Sequence, residues 1–297
     1  MKTQYESCLL CGRGCGVDRT RGERGFCGMS SEPKLARAAL HMWEEPIISG
    51  TGGSGTVFFS GCSLGCVFCQ NRAISDGQVG KPLTDSRIAE IMLELEAQGA
   101  HNINLVTPTH FAPTAVCSVR LARERGMTLP VVYNTSSYDS VECIRMLADT
   151  VDIYLADYKY HLSRTAEKLS HAENYPEVAR AAIAEMIRQK PYPVVENGVM
   201  REGVIVRVLL LPGHVAEAKL AVKYIYDTYG DSVYISLMSQ YTPMPNMTAP
   251  LDRRVTAAEY RELVDYAIEK GVTRAFIQEG TAASESFIPP FDLTGIQ

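Results

Sequence analysis

Cys62-Ser-Leu-Gly-Cys66-Val-Phe-Cys69 places three thiols three and then two residues apart, with Gln70-Asn71 directly behind them. Three thiolates cannot complete the four-thiolate shell of an ordinary iron–sulfur cluster. A cubane held here keeps one iron without a protein ligand, and that iron can take a cofactor or a substrate, as an open catalytic metal position does. The chemistry implied is radical generation rather than electron storage. Zinc in a structural site takes four ligands, and no histidine lies near this loop to supply the fourth.

A second set, Cys8, Cys11, Cys15 and Cys27, has the spacing C-x2-C-x3-C-x11-C, enough for a closed four-thiolate site. Tetrahedral thiolate sites suit either zinc or iron–sulfur centres. Zinc would staple a segment too small to fold alone; a second cluster would pass an electron towards the first or position a substrate. Cys117 and Cys143 fall in helical patterns and read as buried packing residues.

The elements that must position these groups alternate along the chain. A short apolar run at 56–59 reads as a buried strand that delivers the Cys62 loop at its C-terminal end. A helix follows from Asp85-Ser86, with Ile88, Ile91, Met92 and Leu95 on one face. Further strands are expected at 103–106, 130–134, 151–156, 204–211, 232–237 and 274–277. Helices are expected near 115–124, 141–148, 175–188, 216–226 and 257–270. Such βαβ units predict an α/β fold with a parallel sheet. The expectation is a partial parallel barrel over 51–280, a cysteine-rich extension over 1–50 and a tail over 281–297. No G-x-G-x-x-G follows a strand, which removes a dinucleotide-binding sheet.

In parallel α/β folds the chemistry gathers at the C-terminal strand ends, and polar residues collect there. Thr107, Thr109 and His110 follow one strand, Asn134 ends the next, and Asp157 and Lys159 the third; Arg207 and Gln240 come later. The planar fork of Arg207 suits a carboxylate. Lys159 beside Asp157 also reads as a structural ion pair. His110 reads as a proton-transfer group or a hydrogen-bonded wall residue, and Tyr133, Tyr154 and Tyr158 as cavity lining or core. Trp43, Glu44 and Glu45 are expected only to pack the extension onto the barrel.

The 297 residues are 46% hydrophobic and 21% charged, with a net charge of −5, enough to build a large core. There is no long basic run for a nucleic-acid backbone and no apolar run of membrane-spanning length. The first six residues lack the apolar region of a signal peptide. The expected location is the cytoplasm, where thiols stay reduced.

The cysteine spacing, with Phe68 before the third thiol, resembles the cluster motif of radical S-adenosylmethionine (SAM) enzymes. The resemblance implies a radical SAM barrel of the (β/α)6 type. It also implies a [4Fe–4S] cluster whose open iron binds the SAM amino and carboxylate groups. Asp157-Tyr-Lys159 resembles the Asp-Leu-Lys motif of glycyl-radical-enzyme activating enzymes. Arg207-Val-Leu-Leu-Leu-Pro212-Gly213 resembles their fifth-strand pattern, in which the arginine contacts the SAM carboxylate; Asn71 also matches.

From Cys8 to about Glu279 the chain is similar to homologues of the pyruvate formate-lyase activating enzyme. The similarity includes His41-Met-Trp43-Glu-Glu-Pro46, His101-Asn-Ile-Asn104, Thr107-Pro-Thr-His110 and Leu237-Met-Ser-Gln-Tyr241. It implies SAM contacts from Asn71, Thr107, Thr109, Asn134, Asp157, Lys159, Arg207 and Gln240. The implied partners are a glycyl radical enzyme and an external one-electron donor such as flavodoxin or ferredoxin, with no membrane or nucleic acid.

One motif departs. The activating enzymes carry Gly-Gly-Glu at the end of the second strand, where this chain has Val106-Thr-Pro-Thr-His110. That departure motivates an alternative, radical SAM oxidation or rearrangement of a small molecule, amino acid or peptide. A non-catalytic iron–sulfur electron carrier is a third reading. Asp157, Lys159 and Arg207 argue against it, because a carrier has no need of a polar pocket.

Overall fold

A computed structural model describes residues 2–278 and 289–297. Runs buried on both faces alternate with amphipathic helices, which is how a parallel sheet covered by helices is built. The strands are β1 (Lys34–His41), β2 (Ser54–Phe59), β3 (Lys81–Pro82), β4 (Ile103–Val106) and β5 (Val131–Thr135). They continue with β6 (Ile153–Asp157), β7 (Val194–Glu196), β8 (Val199–Leu209), β9 (Tyr234–Met238) and β10 (Ala275–Ile277). Their spatial order is β10-β9-β8-β6-β5-β4-β2-β1-β3, with β7 beside β8. Every pairing from β2 across to β10 is parallel. The expected α/β architecture is present.

The helices are α1 (Pro46–Ser49), α2 (Arg72–Ser75), α3 (Asp85–Ala97), α4 (Ala112–Glu124) and α5 (Val141–Met146). α6 (Ser163–Ser170), α7 (Tyr175–Gln189), α8 (Val215–Tyr229) and α9 (Ala257–Glu269) complete the set. Their starts are legible locally. Thr84 accepts the Arg87 N–H, Ser140 accepts the Cys143 N–H, and Thr256 with Glu259 forms a capping box. Each such cap is worth about 1 kcal/mol. Among the described residues no helix is long and apolar enough to cross a membrane.

The elements β1, β3, β7, α1, α2 and α6 go beyond the expected set. Residues 34–41, assigned to the extension, form β1 and pair antiparallel with β2. Their alanines and Arg37 carry little strand propensity, so pairing rather than local preference makes this strand. Helix α6 fills the link between β6 and α7. The expected end of the barrel at 280, and residues 279–288 generally, lie outside the described residues.

Alternation along the strands divides two cores. Tyr133, Tyr154, Ala156 and Val206 face the helices. Val132, Ile153, Leu155 and Ile205 face the other way and pack on Ile48 of α1. The helix therefore plugs the inner side of the curved sheet, and burying Ile48 stabilises that plug by about 2–3 kcal/mol. Asn102 holds it by donating to the Ile48 carbonyl at 2.7 Å, and Ser54 in turn donates to Asn102 at 2.6 Å.

Candidate active site

The loop after β2 turns on Gly61 and Gly65, both in left-handed backbone (φ 89° and 67°). A Cβ at Gly61 would meet the Met29 side chain at 2.5 Å, so only glycine fits that turn. Cys62, Cys66 and Cys69 then face a cavity of about 700 Å³. Ser170 donates to the Cys66 sulfur at 3.1 Å, and the Leu64 N–H to the Cys62 sulfur at 3.4 Å.

Burial pushes the Cys62 thiol up to about 12, helped by the neighbouring thiols of Cys66 and Cys69, and it raises Cys69 too. Bare thiols so placed resist ionisation, whereas a cationic metal core favours thiolates. Among the described residues no three Cys, His, Asp or Glu groups are arranged to hold a single metal ion. Three thiols on one cavity wall, with hydrogen-bond donors to two of the sulfurs, fit a polynuclear cluster with an open corner.

Across the cavity, side chains from four strands and two links form a charged layer. The Asp157 oxygens accept from Lys159 Nζ and Arg207 Nε, each at 2.6 Å. Arg207 also donates to the Asn134 carbonyl oxygen at 2.6 Å and faces Glu44 at 3.5 Å. Glu44 in turn accepts from Asn104 at 3.1 Å and from Asn134 at 3.3 Å. Burial alone would raise the Asp157 carboxyl, but Arg207 and Lys159 outweigh it and hold the carboxyl below its usual range. Burial would likewise lower Lys159 and Arg207; their carboxylate partners hold both above their ordinary values. Lys159 and Asp157 are thus an ion pair, and the fork of Arg207 is engaged by protein groups.

Glu44, Glu45 and Trp43 correct the expectation that they only pack the extension. All three line the cavity. Glu44 is raised by burial, against the pull of Arg207, and burial pushes Glu45 up to about 6. The signal available in sequence was two adjacent carboxylates before Pro46, at the start of an apolar helix. Ser236 on β9 lines the same cavity and was also missed.

Asn71, Thr107, Asn134, Asp157, Lys159, Arg207 and Gln240 line the cavity together. Thr109 does not. It is buried, hydrogen-bonds Thr135 at 3.3 Å and is separated from the lumen by a turn. His110 is a wall residue, its Nε2 at 2.7 Å from the Ser60 carbonyl oxygen and its pKa lowered by burial to about 3. Tyr133, Tyr154 and Tyr158 are core: their hydroxyls meet Asp139, Gln189 and Arg180.

The N-terminal cysteines cluster beside the loop, outside the cavity. Arg13 reaches from among them to the carbonyls of Ser63, Leu64 and Ser170 at 2.8–3.0 Å, stacked on Phe26. Arg19, fully buried, donates to the carbonyls of Met29, Ser30 and His110. Burial raises Cys11 to about 12 and also raises Cys27.

Residues 56–189, which run from β2 through α7, match the family model for the Radical SAM superfamily. By that match the stretch resembles a radical SAM domain. Radical SAM chemistry uses a [4Fe–4S] cluster and SAM, and the domain's open three-thiol loop fits that pair. The chain is 28% identical to an uncharacterized protein of Methanocaldococcus jannaschii over 280 residues, 90% of this chain and 75% of that one. Among solved structures it resembles HydG, a maturase of the [FeFe]-hydrogenase, at 17% identity and a TM-score of 0.50. The match covers 76% of this chain and 50% of HydG. The structure of anSMEcpe with bound AdoMet matches at 10% identity and a TM-score of 0.50, over 71% and 55% of the two chains. SuiB of Streptococcus suis, solved bound to S-adenosylmethionine, matches at 10% and 0.50 over 76% and 50%. The chain spans about half the length of these solved proteins, and the likeness is one of fold.

Proposed function

We propose that Cys62, Cys66 and Cys69 hold the cluster, and that the enzyme abstracts a hydrogen atom from a substrate admitted to the lumen. The observation that carries this is the meeting of all three thiols with the Asp157–Lys159–Arg207 layer on one cavity. A cluster held by these three thiols would supply the single electron needed to cleave SAM reductively into methionine and a 5′-deoxyadenosyl radical. The protein's part is placement. Asp157, Asn134 and Glu44 fix Arg207, so the polar wall is set before anything binds. Thr107, in left-handed backbone with φ 57°, presents its side chain to the lumen, and its N–H is held by the Asn134 carbonyl at 2.9 Å. Asn71 and Gln240 flank the loop, with Gln70 donating to the Gln240 carbonyl at 3.0 Å.

In the first reading the substrate is a backbone glycine on an extended loop of a glycyl radical enzyme, with flavodoxin or ferredoxin as the electron donor. The similarity of Asp157-Tyr-Lys159 and Arg207 to activating-enzyme motifs supports it. Anaerobic incubation of the reconstituted protein with SAM, reductant and such a partner should produce a glycyl signal in electron paramagnetic resonance. Production of 5′-deoxyadenosine with no such signal sinks this reading.

The second reading is a small molecule, amino acid or peptide side chain. It is favoured by Glu45, a buried carboxylate in the cavity wall whose Oε2 a backbone glycine would leave unanswered. We also propose that Cys8, Cys11, Cys15 and Cys27 hold zinc or a second iron–sulfur centre. The nine unpaired cysteines suit a reducing cytoplasm.

A further inference from the structure

We infer that Glu45 is the recognition residue for a cationic group, an alkylammonium, on a small substrate; this rests on the second reading above. Glu45 is 8% exposed, lines the cavity, and its Oε2 is buried with no hydrogen-bond partner among the described residues. The undescribed stretch 279–288 contains no Lys, Arg or His that could answer it.

The other carboxylates of the layer are already used. Both Asp157 oxygens accept from Lys159 and Arg207, and Glu44 accepts from Asn104 and Asn134 while facing Arg207. Three carboxylates therefore share two cations; Arg207 also pulls on Glu45 against its burial, but the Glu45 Oε2 keeps no hydrogen-bond partner among the described residues. An unpaired buried carboxylate is costly, and a ligand ammonium removes that cost while gaining a charge-assisted hydrogen bond.

Glu45 is also held still. Its carbonyl accepts the N–H groups of Ile48 and Ser49 at 2.8 and 3.0 Å, and Pro46 follows it at the start of α1. Position separates this carboxylate from the cluster loop. The loop follows β2, whereas Glu45 neighbours Ser236 on β9 and Arg207 on β8. Three strands, β4, β5 and β6, lie between β2 and β8 along the order β9-β8-β6-β5-β4-β2. Leu209, Met238 and Phe276 add apolar wall to this side of the lumen. An alkyl chain ending in an ammonium fits that sequence of surfaces.

The test uses the reconstituted full chain under anaerobic conditions. Trp43 is the only tryptophan and lines the cavity beside Glu45, so its fluorescence reports entry. Titration with n-butylamine and 1,4-diaminobutane should give binding at least 10-fold tighter than n-butanol. Glu45→Gln should abolish that preference, Glu45→Asp should restore part of it, and SAM affinity should stay within about twofold. Equal binding of amine and alcohol to the wild type overturns the inference. So does a 10-fold loss of SAM affinity in Glu45→Gln, which would make the SAM ammonium the cation. Absence of 5′-deoxyadenosine from the wild type with SAM and dithionite would instead defeat the proposed function, while an amine preference would still establish the site.

Discussion

Cys62, Cys66 and Cys69 face the lumen, whereas Cys8, Cys11, Cys15 and Cys27 do not line it. The first set sits on a loop launched by a strand of the main sheet, where curvature aims it at a polar cavity. The second sits on irregular chain pinned from outside by Arg13 and Arg19. Three thiols on a cavity wall suit a cofactor that must stay open on one side, whereas four thiols could complete a closed site. The difference is the basis for proposing chemistry at the first set and support, or electron supply, at the second.

The sharpest way to break that contrast is to remove one thiol from each set. Cys66→Ala should lower reductive SAM cleavage at least 100-fold, read as 5′-deoxyadenosine formed with dithionite. Cys27→Ala should lose bound metal by elemental analysis and cost about tenfold or less in the same assay. Equal losses would merge the two regions into one functional unit.

Next in size is the charged layer that only the first region faces. Arg207→Ala removes the partner of Asp157 and Glu44 and should destabilise the protein by about 3–5 kcal/mol, read by denaturant unfolding. A change under 1 kcal/mol would mean that water already screens this layer.

Glu45 gives a smaller, pH-dependent effect. Its folded-state value of about 6 lies above the usual carboxyl range, so its charge opposes folding above pH 6, and the penalty fades as pH falls towards 4.5. Glu45→Gln should therefore stabilise the substrate-free protein by about 2 kcal/mol at pH 7.5 and by much less at pH 4.5. Burial drives this shift and Glu44 adds to it, while Arg207 and a hydrogen bond with Ser236 pull against it. A pH-independent difference between variant and wild type would contradict it.

The smallest expected change is at the join between the two regions. Arg13→Ala leaves carbonyls of the Cys62 loop unanswered and should cost about 1–2 kcal/mol. Faster amide hydrogen exchange should be confined to residues 8–27 and 61–66. Unchanged exchange there would show that the two cysteine sets are held independently.

Much of the frame was legible in the sequence, because apolar periodicity and capping are local. The strands at 103–106 and 131–135, and the helix from Ala257, stand within a residue or two of their expected positions. Site residues were legible where they ended strands, as Asn134, Asp157 and Arg207 do. Thr109 was misplaced for a backbone reason. The left-handed turn at Thr107 is followed by a 3-10 turn over Thr109–Phe111, which carries Thr109 and His110 into the wall. Glu44 and Glu45 were misread because the link from β1 to α1 enters the lumen only once the sheet has curved around it.

By itself, the sequence determined the spacing of the three thiols and the alternation that makes a parallel sheet. Both depend on neighbours a few bonds away. Only the tertiary structure decided which charges answer one another. Arg207 meets Glu44 across 163 positions of chain, and Arg19 meets the His110 carbonyl across 91. No local pattern specifies such partners: a buried charge takes whatever the curvature of the sheet brings within reach. For Glu45, that curvature brings Arg207 near but leaves the Oε2 without a hydrogen-bond partner among the described residues.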